Sequence, residues 1–239
     1  ARRGAAVVVA GRDEEKAQRV VRELREDTCN DAVDYLLADL TVQAEIRRLA
    51  SQFLERYDRL DVLTNNAGGF FGRRQESVDG IEKTLALNYL APFLLTNLLL
   101  DRLIASATAR VINVSSDMHQ SAELDLDNLE LKDGYSGQKA YARSKLALVL
   151  FTYELARRLD GTGVTAVALH PGFVATGIGM NHPLLKIFQP LMSLFAVSPE
   201  KGAEASVYLA SSPDVAGVTG EYFKNRQPAR SAAAAYDLS

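Results

Sequence analysis

The chain has 239 residues, an apolar fraction of 47% and a net charge of −3. That is enough apolar material for one sizeable core, and the acidic balance argues against a nucleic-acid partner. Cys29 is the single cysteine, which rules out an intrachain disulfide and a thiolate metal cluster. No apolar run reaches the roughly 18 residues that a membrane span needs, and no signal-peptide pattern is present. The expectation is a soluble, cytoplasmic chain with no membrane segment in the sequence given.

In chain order, apolar stretches with strand character alternate with helical periodicity. Ala5 to Ala10 reads as a buried strand, and Asp13 to Glu26 as a helix with Asp13 at its N-cap. Val33 to Ala38 is a strand, Val42 to Tyr57 an amphipathic helix and Leu60 to Asn65 a strand. One long helix is predicted from Gly80 to Ile104. Arg110 to Ser115 is a strand, and residues 116 to 138 form a loop. A helix then carries Tyr141 to about Asp160, and Val164 to Leu169 is a strand. Pro183 to Phe195 is apolar and helical, and Ser198 to Ser211 is a helix with Pro199 in its first turn. Val218 to Phe223 is a last short strand. This alternation means an α/β fold, a doubly wound parallel sheet covered on both faces, and one domain over residues 1–239.

Such sheets bind ligands beyond the carboxyl ends of their strands. Three strand ends carry polar or glycine-containing segments: Asn65-Asn66-Ala67-Gly68, Ser115-Ser116 and His170-Pro171-Gly172. Two Tyr-x-x-x-Lys pairs occur, Tyr135 with Lys139 and Tyr141 with Lys145. The first lies in a stretch with Gly134 and Gly137 and reads as loop, which puts Tyr135 near the site either as a loop residue or as a substrate contact. The second opens the Ala/Leu-rich helix, where residues four apart share a face. A phenol beside a fixed cation can give or take a proton more readily than an isolated tyrosine of pKa about 10. Asn88, amid LALNYLAPFLL, is poor helix chemistry and reads as functional. There is no Gly-x-Ser-x-Gly elbow for a serine hydrolase, and His119 reads as a loop histidine. His119, His170 and His182 have no helical ligand spacing, so no metal site is expected.

With VVVAGRDEEK, ADL, NNAG, LNYLAPFLLTNLLL, RVINVSS, YARSKLALVLF and HPGFVAT in this order, the chain resembles the short-chain dehydrogenase/reductase family, in its retinol-dehydrogenase-like branch. The resemblance implies a Rossmann-like fold and hydride transfer between a nicotinamide cofactor and a small-molecule carbonyl or alcohol. It implies that Tyr141 is the general acid/base and that Lys145 lowers its pKa and holds the nicotinamide ribose. It further implies that Ser116, rather than Ser115, holds the carbonyl oxygen, and that Asn88 anchors a proton-resupplying water chain. On the cofactor side it implies Asp39 and Leu40 at the adenine, Asn65, Asn66, Ala67 and Gly68 near the adenosine, and Pro171, Gly172, Val174 and Thr176 at the nicotinamide. No acid stands at Gly11 to hold a ribose 2′-hydroxyl, and Arg12 can pair with a 2′-phosphate, which favours NADP. Lys16 either helps there or is a solvated lysine.

Two features depart from the family pattern or leave it open. The family's first, central strand and glycine-rich phosphate loop have no counterpart in the sequence given, so it is expected to be an N-terminally incomplete view and to bind a pyrophosphate weakly. The Pro183–Phe195 segment falls where the family carries a substrate lid. It predicts a bulky apolar substrate of retinoid, steroid or aromatic-ketone type, or else a helix packed on the body or a partner. A homodimer or homotetramer is implied, and Leu146 to Leu150 serves either that interface or the core. The competing reading is a non-catalytic NADP-binding or scaffold protein, and an epimerase or dehydratase on the same fold is a further one.

Overall fold

The computed structural model describes residues 1–172 and 199–236. Strand β1 (Val7–Gly11) pairs in parallel with β2 (Val33–Leu37), Val7 opposite Val33 and Gly11 opposite Leu37. The other five strands are β3 (Val62–Asn65), β4 (Arg110–Val114), β5 (Thr165–His170), β6 (Glu221–Lys224) and β7 (Gln227–Ala229), side by side in chain order. All their pairings are parallel except β6 with β7. The architecture is the expected α/β one, yet its hydrogen-bond ladder is in two pieces. No strand among the described residues joins β1–β2 to β3–β7. The pieces nonetheless share a core, because Val8 and Leu63 pack against one cluster that includes Leu36, Ile46, Phe53, Leu95 and Leu99.

Helices α1 (Glu14–Thr28) and α2 (Gln43–Arg56) follow β1 and β2. The Asp13 carboxylate caps α1 by accepting from the Lys16 backbone N–H at 3.0 Å. Helix α6 (Gly137–Arg158) covers one face of β4 and β5, with Leu148, Phe151 and Leu155 against Val111 and Ala166. Helix α7 (Pro199–Ser211) covers the other, with Ala205 and Leu209 against Ile112, Val114, Val167 and Leu169. Successive strand residues thus point to opposite helical layers, the period-two consequence of a sheet buried on both sides. Leu146, Ala147, Leu148 and Val149 are all buried, so most of the Leu146–Leu150 stretch is core.

The predicted long helix is interrupted. Glu82 caps a short α3 (Lys83–Leu85), a π-helical turn spans Ala86–Leu90, α4 runs over Ala91–Leu98, and α5 (Leu100–Ala105) follows a break at Leu99. Pro92 has no N–H to give to the Asn88 carbonyl four residues back, so the ladder widens at that point. Near the end of the described chain, β6 and β7 form a hairpin about Asn225 and Arg226, with φ of 51° and 64°. Sequence reading missed β7 because arginine is not a usual residue for such a turn. The Pro183–Phe195 segment, Val174 and Thr176 lie outside the described residues.

Candidate active site

The residues after β3 and β4 meet α6 and the π-helical turn at one end of the five-stranded piece. Tyr141 and Lys145 sit one turn apart on α6, with the Lys145 Nζ 5.6 Å from the centre of the tyrosine ring. The ammonium group is buried and donates to the Val114 carbonyl at the end of β4 (2.8 Å). Burial without a facing carboxylate disfavours its charge and brings its pKa down to about 8. Burial also pushes the Tyr141 phenol above its usual value, opposed by a hydrogen bond with Ser116. This direction runs against the expected lowering by Lys145, because desolvation of the phenol outweighs the help of its neighbours.

The two serines after β4 divide their work. Ser115 is buried and donates to the Lys145 carbonyl at 3.0 Å, tying β4 to α6. Ser116 is only half-buried, faces Tyr141 and N-caps a 3₁₀ turn, Asp117–Ser121, by accepting from the Met118 N–H.

Asn88 lies in the π-helical turn with no exposed surface. Its Oδ1 accepts from the Gly69 N–H at 2.8 Å, and its Nδ2 donates to the Gly69 carbonyl and to the Ser144 Oγ, both at 3.0 Å. Ser144 in turn donates to the Tyr141 carbonyl at 2.8 Å. Gly68 fits closely above this pair: a Cβ there would stand 3.3 Å from Asn88 Oδ1 and 3.4 Å from Lys145 Nζ. Tyr135 donates to the Phe71 carbonyl at 2.8 Å and holds the 68–72 loop. The Phe70 ring of that loop stands 5.9 Å from the ring of Tyr141.

The candidate cofactor residues are split between the two pieces. Arg12 follows β1, with 70% of its side chain exposed, and lies 4.0 Å from the Asp39 carboxylate. Burial pushes the Asp39 carboxyl up, but hydrogen bonds from Thr41 and the Arg12 charge outweigh it and hold the group below its usual value. Leu40 is half-buried beside it, and Asn66 and Ala67 are exposed. The Asn65 side chain turns inward instead. It donates to Thr96 Oγ1 (3.1 Å) and to Asn113 Oδ1 (2.8 Å), and Asn113 donates to Thr152 Oγ1 (2.9 Å). Pro171 and Gly172 follow β5, Gly172 with φ of 86°, a value that favours glycine.

Sequence reasoning missed Ser144, Asn113, Thr96 and Thr152, which support the site from the interior. Polar residues at fully buried helix and strand positions were the available signal.

The model of the family described as short chain dehydrogenase matches residues 1–184. The chain belongs to this family. Human retinol dehydrogenase 13 is 41% identical over 239 residues, an alignment that covers 96% of this chain and 72% of the relative. Human polyprenol dehydrogenase is also 41% identical, covering 99% and 74%. The solved complex of Pseudomonas aeruginosa RhlG with NADP in its active site superposes with a TM-score of 0.73 at 30% identity, covering 92% of this chain and 84% of that one. The chain is therefore an oxidoreductase of the short-chain dehydrogenase family, in its retinol-dehydrogenase-like branch, with a nicotinamide cofactor and a small-molecule substrate. Among the described residues no helix is long and apolar enough to cross a membrane.

Proposed function

We propose that this protein interconverts a bulky, apolar carbonyl compound and its alcohol with NADP(H), with Tyr141 as the general acid in reduction and the general base in oxidation. The observation that carries the reading is the meeting of Ser116 and Lys145 at the Tyr141 ring, with Asn88 tied to the Tyr141 main chain through Ser144, the four drawn from three elements. The cofactor supplies the hydride. Lys145 would hold its nicotinamide ribose, the main chain from Asn65 to Gly68 would lie near the adenosine, and Arg12, exposed beyond β1, would hold a 2′-phosphate.

Tyr141 gives its phenolic proton to the substrate oxygen as that oxygen gains charge. Ser116 donates to the same oxygen and stabilises the charge where it develops. With a pKa of about 8, Lys145 changes protonation state near neutral pH and can replenish the phenol. Asn88 fixes the Gly69 backbone on one side and Ser144 on the other, so the groups keep their spacing. Two observations support an apolar substrate: the Phe70 ring beside Tyr141, and relatives named for retinol and polyprenol.

Tyr141→Phe tests the reaction against the non-catalytic reading. Turnover with NADPH should fall at least about 100-fold while NADPH binding persists. Unchanged turnover would remove Tyr141 from the mechanism. A substrate panel in which only small polar sugars react would remove the apolar assignment.

A further inference from the structure

His119 has no exposed surface, and both of its ring nitrogens are engaged by main-chain groups far apart in the chain. Its Nε2 lies 3.1 Å from the Ala232 N–H. That group can only donate, so Nε2 carries no proton. Its Nδ1 lies 2.6 Å from the Ser116 carbonyl. That oxygen can only accept, so Nδ1 carries the proton. The two bonds together select one neutral tautomer. The ring is also seated on Tyr222, with centroids 4.7 Å apart.

The same carbonyl accepts from the His119 backbone N–H at 3.1 Å. The Ser116 peptide is therefore gripped twice by one residue. A second tie joins the turn to the same distant segment, from the Gln120 amide to the Arg230 carbonyl at 2.9 Å. The ionisable neighbours of the imidazole are Asp117, His170 and Tyr222. Asp117 is engaged by Lys224 at 2.5 Å and by the Tyr222 hydroxyl at 3.0 Å. Asp117 is thus already partnered, by Lys224, Tyr222 and His170, and makes neither of the two His119 bonds.

We propose that His119, as its neutral Nδ1–H tautomer, is a positioning residue that ties the Ser116 main chain to Ala232 and so holds the Ser116 hydroxyl against Tyr141. A histidine that merely filled space would need neither bond, and an apolar ring of similar size would serve. Protonation would put a second donor opposite the Ala232 N–H and break that tie. Burial, which holds His119 below its usual pKa, keeps the tie intact near neutral pH. The segment around Ala232 thereby becomes part of the geometry of a serine more than a hundred positions away.

The proposal rests on the roles given above to Ser116 and Tyr141, and its test has two readouts that need no substrate. Nitrogen-15 spectra of the full-length protein should show His119 protonated at Nδ1 and bare at Nε2 between pH 6 and 8. The phenolate titration of Tyr141, taken as the difference between wild type and Tyr141→Phe, should move to higher pH in His119→Phe, because the Ser116 hydrogen bond is weakened. Turnover of His119→Phe should fall about 10- to 100-fold in kcat with cofactor affinity unchanged, the scale of a small misplacement of a catalytic group. His119→Asn, whose amide can donate to the same carbonyl, should recover most of both readouts. A folded His119→Phe with the wild-type Tyr141 titration overturns the proposal, as does an Nε2–H tautomer. If His119→Phe does not fold, His119→Asn decides: near wild-type kcat supports the proposal, and a loss as deep as that of Ser116→Ala overturns it. A wild-type protein without turnover would count against the proposed reaction, and the tautomer and the Tyr141 titration would then decide the His119 proposal on their own.

Discussion

The two pieces of the sheet differ in how completely they are covered. In β4 and β5 the residues Val111, Ile112, Ala166, Ala168 and Leu169 have no exposed surface, because a strand lies on each side and a helix layer on each face. In β1 no residue is fully buried, and among the described residues β1 and β2 pair only with each other. The groups proposed to handle the proton are carried by the covered piece and the residues next to it. Arg12 and Asp39, assigned to the far end of the dinucleotide, hang from the open one. Moving a proton demands fixed distances and little water, which a closed core supplies. Recognition of a phosphate needs only a cation at the right strand end, and an exposed guanidinium suffices.

Paired substitutions put this contrast at risk. Leu148→Ala, in the covered piece, should cost about 3 kcal/mol of stability, whereas Val8→Ala in β1 should cost about 1 kcal/mol. Denaturant melts that gave equal losses would break the comparison. Glycines allow a second test. A Cβ at Gly137 would meet the Phe71 carbonyl at 2.6 Å, backbone against backbone, whereas one at Gly11 would meet nothing within 4 Å. Gly137→Ala should therefore cost about 2 kcal/mol and lower turnover by shifting the Phe70 loop, while Gly11→Ala should stay within about 0.5 kcal/mol.

A third test uses pH. The Lys145 pKa is depressed from 10.5 to about 8 in the folded chain. Between those values the unfolded chain binds the extra proton, so stability rises with pH there, by at most about 1.4 kcal/mol per pH unit. Comparing melts at pH 8 and pH 9.5 should show the rise in wild type and a flatter profile in Lys145→Met. An identical slope in the variant would mean that Lys145 is not buried as described. The smallest effect on stability is expected at Arg12. Arg12→Ala should melt as wild type does, yet lose about tenfold in NADPH affinity relative to NADH, with the difference shrinking as salt is raised. Unchanged cofactor preference would point away from a 2′-phosphate contact.

Much of this arrangement was legible in the chain because it is local or periodic. Tyr141 and Lys145 share a helix face whatever surrounds them, and the apolar run RVINV announces a buried strand. The run VVVAG also announces a strand, but the expected burial of β1 is corrected: its residues are half-buried or exposed, and among the described residues it pairs with β2 alone. The π-helical turn was not legible. The sequence predicts one helix from Gly80 to Ile104 straight through Pro92, and the widening of the ladder at Asn88 came only with the structure. Among the described residues the ladder has its break between β1–β2 and β3–β7.

The rest depended on encounters between distant segments. Whether Ser115 or Ser116 faces the phenol is set by which hydroxyl the Lys145 carbonyl captures. Asn65 was expected to bring its main chain near the adenosine, and where its side-chain amide would go was settled by Thr96 and Asn113. His119 looked like an ordinary loop histidine until Ala232 was seen behind it. The amino-acid sequence by itself determined the alternation of strands and helices, the family and the placing of Tyr141 and Lys145 on one helix face, since these follow from spacing and residue type along the chain. Only the tertiary structure decided which serine meets Tyr141, what the Asn65 and Asn88 amides bond and which main-chain groups hold His119. A hydrogen bond in the interior is selected by partners that folding brings together, and no periodicity encodes them.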